Sequence, residues 1–112
     1  MPFDRTSGHL QDILAQITLA EEFLGELAPE EFAADILRLY AVVRCLEIIS
    51  EASRRLDENL KSRHPEIDWR AVAGAGNVYR HSYERVLAKE IWKTVKLALP
   101  TLRTAVMSEP SS

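Results

Sequence analysis

The sequence predicts an all-α protein, a four- to five-helix up-and-down bundle with a long central helix. Three observations carry this reading. Apolar residues return every three or four positions through most of the chain, which is the spacing of one buried helix face. No segment alternates apolar and polar residues for long, as a half-buried strand would. No Asn-Gly or Asp-Gly pair offers a tight hairpin turn. At 112 residues the chain fits one domain, 1–112, with a loose tail over 108–112.

The first helix is expected from about Gly8 to Gly25, with Ser7 as its N-cap. Leu10, Ile13, Leu14, Ile17, Ala20 and Leu24 share one face, and Gly25 with the following Leu27-Ala28-Pro29 ends it. The second helix starts at Pro29, a residue tolerated at the first helical position. Glu30 and Glu31 then suit the positive end of the helix dipole. Phe32, Ile36, Leu39, Val43, Leu46 and Ile49 form a stripe that Leu56 and Leu60 extend. Read as continuous, this helix has roughly thirty residues and spans about 45 Å, enough for the spine of a bundle or a dimer interface.

Lys61–Asp68 reads as a connection, because Pro65 breaks the helix and Asp68 caps the next one. The third helix is expected from near Trp69 toward Tyr83. It holds Gly74 and Gly76, each costing about 1 kcal/mol against alanine in a helix interior. Such glycines suit either a tight helix crossing or a notch for a ligand. The fourth helix is expected from about Leu87 to Met107, with Ala88, Ile91, Trp92, Val95, Leu99, Leu102 and Val106 on one face. Pro100 lies inside that pattern and predicts a kink or break near Leu99.

Composition excludes several classes. Hydrophobic residues make up 46% and charged residues 28%, which is too apolar for a disordered chain. A lone cysteine, Cys45, lies among Val42, Val43 and Leu46, so neither an internal disulfide nor a thiolate zinc cluster can form. A buried packing role for Cys45 fits a reducing compartment. The first twenty residues lack a basic start followed by an apolar run, and nowhere do ~18 apolar residues run together. A cytoplasmic protein without membrane contact is the expectation. A bundle of this size is only marginally stable, so a large exposed apolar face would call for a dimer or a partner.

Charge is unevenly shared. Residues 1–68 carry 7 basic and 14 acidic side chains, whereas residues 69–112 carry 7 basic and 3 acidic ones. The basic excess surrounds the stretch with most chemical promise, where a local positive field could attract phosphate. The plainer reading is a solvated helix face.

That stretch is Ala73-Gly74-Ala75-Gly76-Asn77-Val78-Tyr79-Arg80-His81-Ser82-Tyr83-Glu84-Arg85. Histidine is the side chain suited to proton transfer near neutral pH, and arginine binds phosphate through a planar, permanently charged fork. On a continuous helix Asn77, His81 and Arg85 fall four apart and share a face, while Arg80 points about 100° away from His81. The alternative is a polar helix end with a satisfied histidine. His9 and His64 sit in loop or helix-start contexts and carry no expected function. Trp69 and Trp92 read as core anchors rather than base-stacking platforms.

Three segments in order add a resemblance. They are Leu46-Glu47-Ile48-Ile49-Ser50-Glu51-Ala52, then His64-Pro65-Glu66-Ile67-Asp68-Trp69-Arg70-Ala71-Val72-Ala73-Gly74, then Ile91-Trp92-Lys93-Thr94-Val95 with Leu99-Pro100-Thr101-Leu102. Over about residues 10–106 this set resembles the HepT-like branch of the HEPN proteins, compact ribonuclease toxins. The resemblance implies a HEPN-like bundle, a homodimer and metal-independent RNA cleavage. In that chemistry a histidine assists proton transfer as the ribose 2′-hydroxyl attacks the adjacent phosphate, and an arginine stabilises the developing charge.

Carried over residue by residue, His81 takes the histidine role and Asn77 helps to position substrate. The family's arginine directly precedes the asparagine, and that position here is Gly76. Arg70 lies too far before His81 to replace it, which leaves Arg80 and Arg85 as the nearby cations. The departure keeps open a second possibility, a binding module for nucleotide, RNA or a nucleotidyltransferase that does not cleave.

Tyr83, two residues after His81, matches the tyrosine that a minimal nucleotidyltransferase antitoxin modifies with AMP; its alternative is a half-buried packing role. ATP would be the AMP donor for that antitoxin, and no cofactor or metal is implied for this chain itself. Glu51 falls in the family's recurring Glu-Ala step and could support a motif arginine across helices or subunits. Otherwise it is one more charge on the face of Arg44, Glu47, Arg55 and Glu58.

Overall fold

The computed structural model describes residues 5–78 and 84–110, and every regular element among them is helical. Helix α1 (Arg5–Leu24) buries Leu10, Ile13, Ile17, Ala20 and Leu24 along the face that their spacing dictates. It begins before Ser7, so the expected cap lies inside the helix. Its C-terminal end is as expected: Gly25 takes φ +57°, the left-handed conformation that glycine adopts without a Cβ penalty. The carbonyls exposed there find donors in Arg38, whose Nη1 reaches Phe23 O at 3.1 Å, and in Lys96, whose Nζ reaches Gly25 O at 3.4 Å.

The continuous thirty-residue second helix is corrected to three pieces: α2 (Pro29–Ala34), α3 (Ile36–Arg54) and α4 (Glu58–Ser62). Aspartate causes each break. Asp35 leaves helical geometry at φ −102°, ψ 88°, and its carboxylate accepts the Arg38 N–H; Asp57 likewise accepts the Asn59 N–H. The break turns the helix face. Ile36 is 47% exposed although the periodic stripe predicted it buried, while Val42 and Cys45 enter the core. The 19-residue α3 remains the central helix, packed on α1 along one side and on α5 along the other.

Helix α5 (Trp69–Val78) starts where Asp68 caps it, its Oδ1 accepting the Ala71 N–H at 3.0 Å. Helix α6 (Glu84–Lys93) runs into a π-helical stretch, Thr94–Ala98, and then α7 (Leu99–Met107). Pro100 explains the widened turn. It has no N–H to donate and its ring crowds the carbonyl four residues back, so the helix widens instead of stopping. Leu99 accordingly donates to Thr94 O, five residues earlier. The predicted apolar face survives the change: Ala88, Ile91, Val95, Leu99, Leu102 and Val106 are all buried.

The helices pack as a bundle of 47 × 23 × 22 Å, about two helix diameters thick in each short direction. Ile13, Ile17, Ala20, Leu24, Phe32, Val42, Ala88 and Ile91 are wholly enclosed. Each large apolar side chain among them contributes about 1.5–3 kcal/mol relative to exposure. Both tryptophans are half-buried anchors with satisfied indoles. Trp69 Nε1 donates to Lys61 O and His64 O, and Trp92 Nε1 donates to Leu27 O at 2.9 Å. Cys45 is buried, which raises its thiol pKa through desolvation. Among the described residues no helix is long and apolar enough to cross a membrane.

Candidate active site

The stretch that sequence chemistry singles out lies between the last turn of α5 and the first turn of α6. Two side chains of α3 hold α5 in place. Ser50, 1% exposed, donates from Oγ to Ala73 O at 2.6 Å. Arg54, one helical turn further on, donates from Nη2 to the same carbonyl at 2.7 Å. Ser53, also buried, returns its hydroxyl to Ser50 O at 2.7 Å. These polar groups are satisfied inside the α3–α5 interface, as burial requires.

Glu51 faces outward from this joint. Its carboxylate pairs within its own helix, with Arg54 at 2.8 Å and Arg55 at 2.7 Å, and its side chain is 53% exposed. Arg44 and Glu47 make a looser pair at 3.5 Å on the same helix. Ion pairs this exposed add little stability, so their role is to set where charge stands.

Of the other candidate residues, Asn77 is placed by its backbone in the last turn of α5 and Arg85 in the first turn of α6. His81, Arg80 and Tyr83 lie outside the described residues. Gly76 falls within α5, as does Gly74. Among the described residues nothing comes within 4 Å of a Cβ built on Gly74, so no tight helix crossing is seen at that glycine among them.

Two clefts lie against the central helix α3. One, of about 270 Å³, is apolar and lies beside α5, lined by Leu46, Ile49, Val72, Ala75, Ala98 and Leu102. The other, of about 280 Å³, is polar and lies between α1 and α3, where His9 and Asp12 face Arg44, Glu47, Glu51 and Arg55. Among the described residues no three His, Cys, Asp or Glu side chains are grouped to hold a metal ion.

Sequence reasoning missed His64. It is 8% exposed, and its imidazole Nε2 meets Glu109, whose other oxygen takes Arg63 Nη2 at 2.6 Å. Nothing near His64 in sequence signals this, because the main partner lies 45 positions away.

Comparison with known proteins gives a consistent assignment. A family model described as "Ribonuclease HepT-like" matches residues 13–109. The chain is 42% identical over 95 residues to "Probable ribonuclease HepT" of Thermococcus cleftensis, covering 85% of this chain and 86% of that protein. It is 33% identical over 97 residues to a Methanocaldococcus jannaschii protein named "Putative RNase", covering 87% and 89%. No solved structure gives a significant match. With the family model spanning most of its length, and with an all-α bundle as its fold, this chain belongs to the HepT-like ribonuclease family.

Proposed function

We propose that this chain is a metal-independent endoribonuclease, the toxin half of a toxin–antitoxin pair, working as a homodimer. The observation that carries the reading is family membership over residues 13–109, a span that includes the whole Ala73–Arg85 stretch. His81 would take the proton from a ribose 2′-hydroxyl. The freed oxygen attacks the adjacent phosphorus, the bond to the 5′-oxygen breaks, and that oxygen leaves with a proton. The products are a 2′,3′-cyclic phosphate and a free 5′-hydroxyl, so no outside oxidant or water is needed for the cleavage step. Asn77 positions the substrate, and Arg80 or Arg85 offsets charge on the phosphate.

Exposed apolar side chains support the dimer. Leu37 and Tyr40 on α3 are 83% and 69% exposed, beside the half-exposed Ile36, and a second copy would cover them. The neutralising partner in this reading is a nucleotidyltransferase that transfers AMP from ATP to Tyr83. Added negative charge and bulk there would repel RNA phosphate.

The test is cleavage of RNA by purified protein in the presence of a metal chelator. Wild type is expected to cleave and His81→Ala to lose cleavage altogether. Gly76 in the arginine position favours a second reading, a module that binds nucleotide or RNA in the same place without cutting it. Binding without cleavage would select that reading, and neither binding nor cleavage would leave a structural adaptor.

A further inference from the structure

We infer that Arg54, contributed by α3, is a phosphate-binding cation of the RNA site; the inference rests on the ribonuclease reading above. Arg54 is the final residue of α3, and its guanidinium touches α5 at Ala73 O, one turn before Gly76 and Asn77. From Ala73 to Val78 the helix rises only about 7.5 Å, so this charge stands beside the segment that leads into His81.

Three features argue that Arg54 does more than hold α5. First, the buried Ser50 hydroxyl already donates to the same carbonyl at 2.6 Å, so the helix is held without it. Second, a guanidinium has five N–H donors. Among the described residues Arg54 places one on Glu51 and one on Ala73, and its side chain is 41% exposed, so donors not used by them can turn to a ligand. Third, Glu51 is shared between Arg54 and Arg55, so its one negative charge is divided between two guanidinium groups. The carboxylate orients the fork without cancelling it. A planar, fixed, permanently charged fork at a helix joint is the form in which protein recognises phosphate oxygen.

The test uses an uncleavable probe, a 2′-O-methyl oligoribonucleotide, and measures its affinity across a range of salt concentrations. Each phosphate neutralised on a single strand contributes about 0.7 to the slope of log affinity against log salt. Arg54→Met keeps the apolar stem and is expected to reduce the slope by about 0.7. Arg54→Lys keeps the charge and is expected to keep the slope. Ser50→Ala removes the other bond to Ala73 and is expected to keep the slope even if it lowers the melting temperature.

Cleavage of natural RNA by Arg54→Met is expected to fall about 100-fold in kcat, as on removal of one charge-stabilising donor. Circular dichroism confirms that each variant is folded, and the contrast of methionine with lysine stands even if Ser50→Ala does not fold. A wild-type slope in Arg54→Met overturns the inference. So does a slope loss in folded Ser50→Ala equal to that of Arg54→Met, since holding α5 would then explain both. If wild type cuts no RNA while the slopes behave as expected, the phosphate contact stands and the cleavage reading falls. If wild type cuts RNA and Arg54→Met matches it in slope and rate, only this inference falls. A wild type that does not bind the probe overturns both.

Discussion

Glu109 closes on His64 across 45 positions of sequence, its Oε2 meeting the imidazole Nε2 in a nearly buried contact. The second carboxylate oxygen takes the guanidinium of Arg63 at 2.6 Å, and the other ring nitrogen of His64 faces Glu66 at 3.4 Å. The chain beyond α7 is thereby fastened to the turn between α4 and α5. That turn also carries the Asp68 cap and the His64 carbonyl that, with Lys61 O of α4, holds the Trp69 indole, so the clamp supports the start of the helix leading into the candidate site.

This clamp is expected to open in acid. Hydrogen bonding from Arg63 holds the Glu109 carboxyl below the ordinary carboxylate range, with a further contribution from His64. A carboxyl depressed in the folded state adds stability that is fully present above its unfolded pKa and lost as pH falls through the folded value. Glu109→Gln is expected to lower the melting temperature by several degrees at neutral pH. The gap to wild type should close as pH falls through and below the carboxylate range, read from thermal melts of both proteins at stepped pH. A gap that stays constant into strong acid would show that the carboxylate charge does not fasten this end.

Gly25, just past the end of α1, and Gly74, within α5, are expected to respond in opposite directions to alanine. Gly25 has φ +57°, and an added Cβ would lie 3.3 Å from Arg38 Nη1, tight enough to disturb the bond from Arg38 to Phe23 O. Gly25→Ala should cost about 1–2 kcal/mol from the left-handed backbone alone. Gly74 is helical and among the described residues nothing crowds a built Cβ, so Gly74→Ala should stabilise by up to about 1 kcal/mol. Urea midpoints of the two variants, on opposite sides of wild type, check both signs.

Tyr83 is expected to carry AMP when the protein is co-expressed with a nucleotidyltransferase antitoxin. Intact-mass spectrometry should show the adduct, and Tyr83→Phe should abolish it. An unmodified Tyr83 in the neutralised complex would remove AMP transfer from the proposed pairing.

Much of the fold was legible because helix burial follows local spacing. The stripe Leu10, Ile13, Ile17, Ala20 and Leu24 is buried as written, and so are Ala88, Ile91, Val95, Leu99, Leu102 and Val106, even across the π-helical stretch. Gly25 and Asp68 ended and began helices where their chemistry predicts. The breaks at Asp35 and Asp57 were not read, because apolar spacing runs on past both and hides a capping aspartate inside an unbroken pattern. The candidate site was legible as a composition, histidine with arginines and tyrosines beside a basic excess. The joint beside it was not, since Ser50 and Arg54 look like ordinary helix residues until α5 lies against them.

By itself the sequence determined the helical class, most of the faces that make the core, and the stretch around His81 to which we assign the chemistry. These depend on side-chain types at fixed local intervals, where one turn of helix is the only distance needed. The tertiary structure alone decided that Ser50 and Arg54 share one carbonyl of α5, and that Glu109 returns to His64. Such pairings arise when helices remote in sequence are driven together by burying their apolar faces. Their polar groups must then find partners in whatever neighbour the packing supplies.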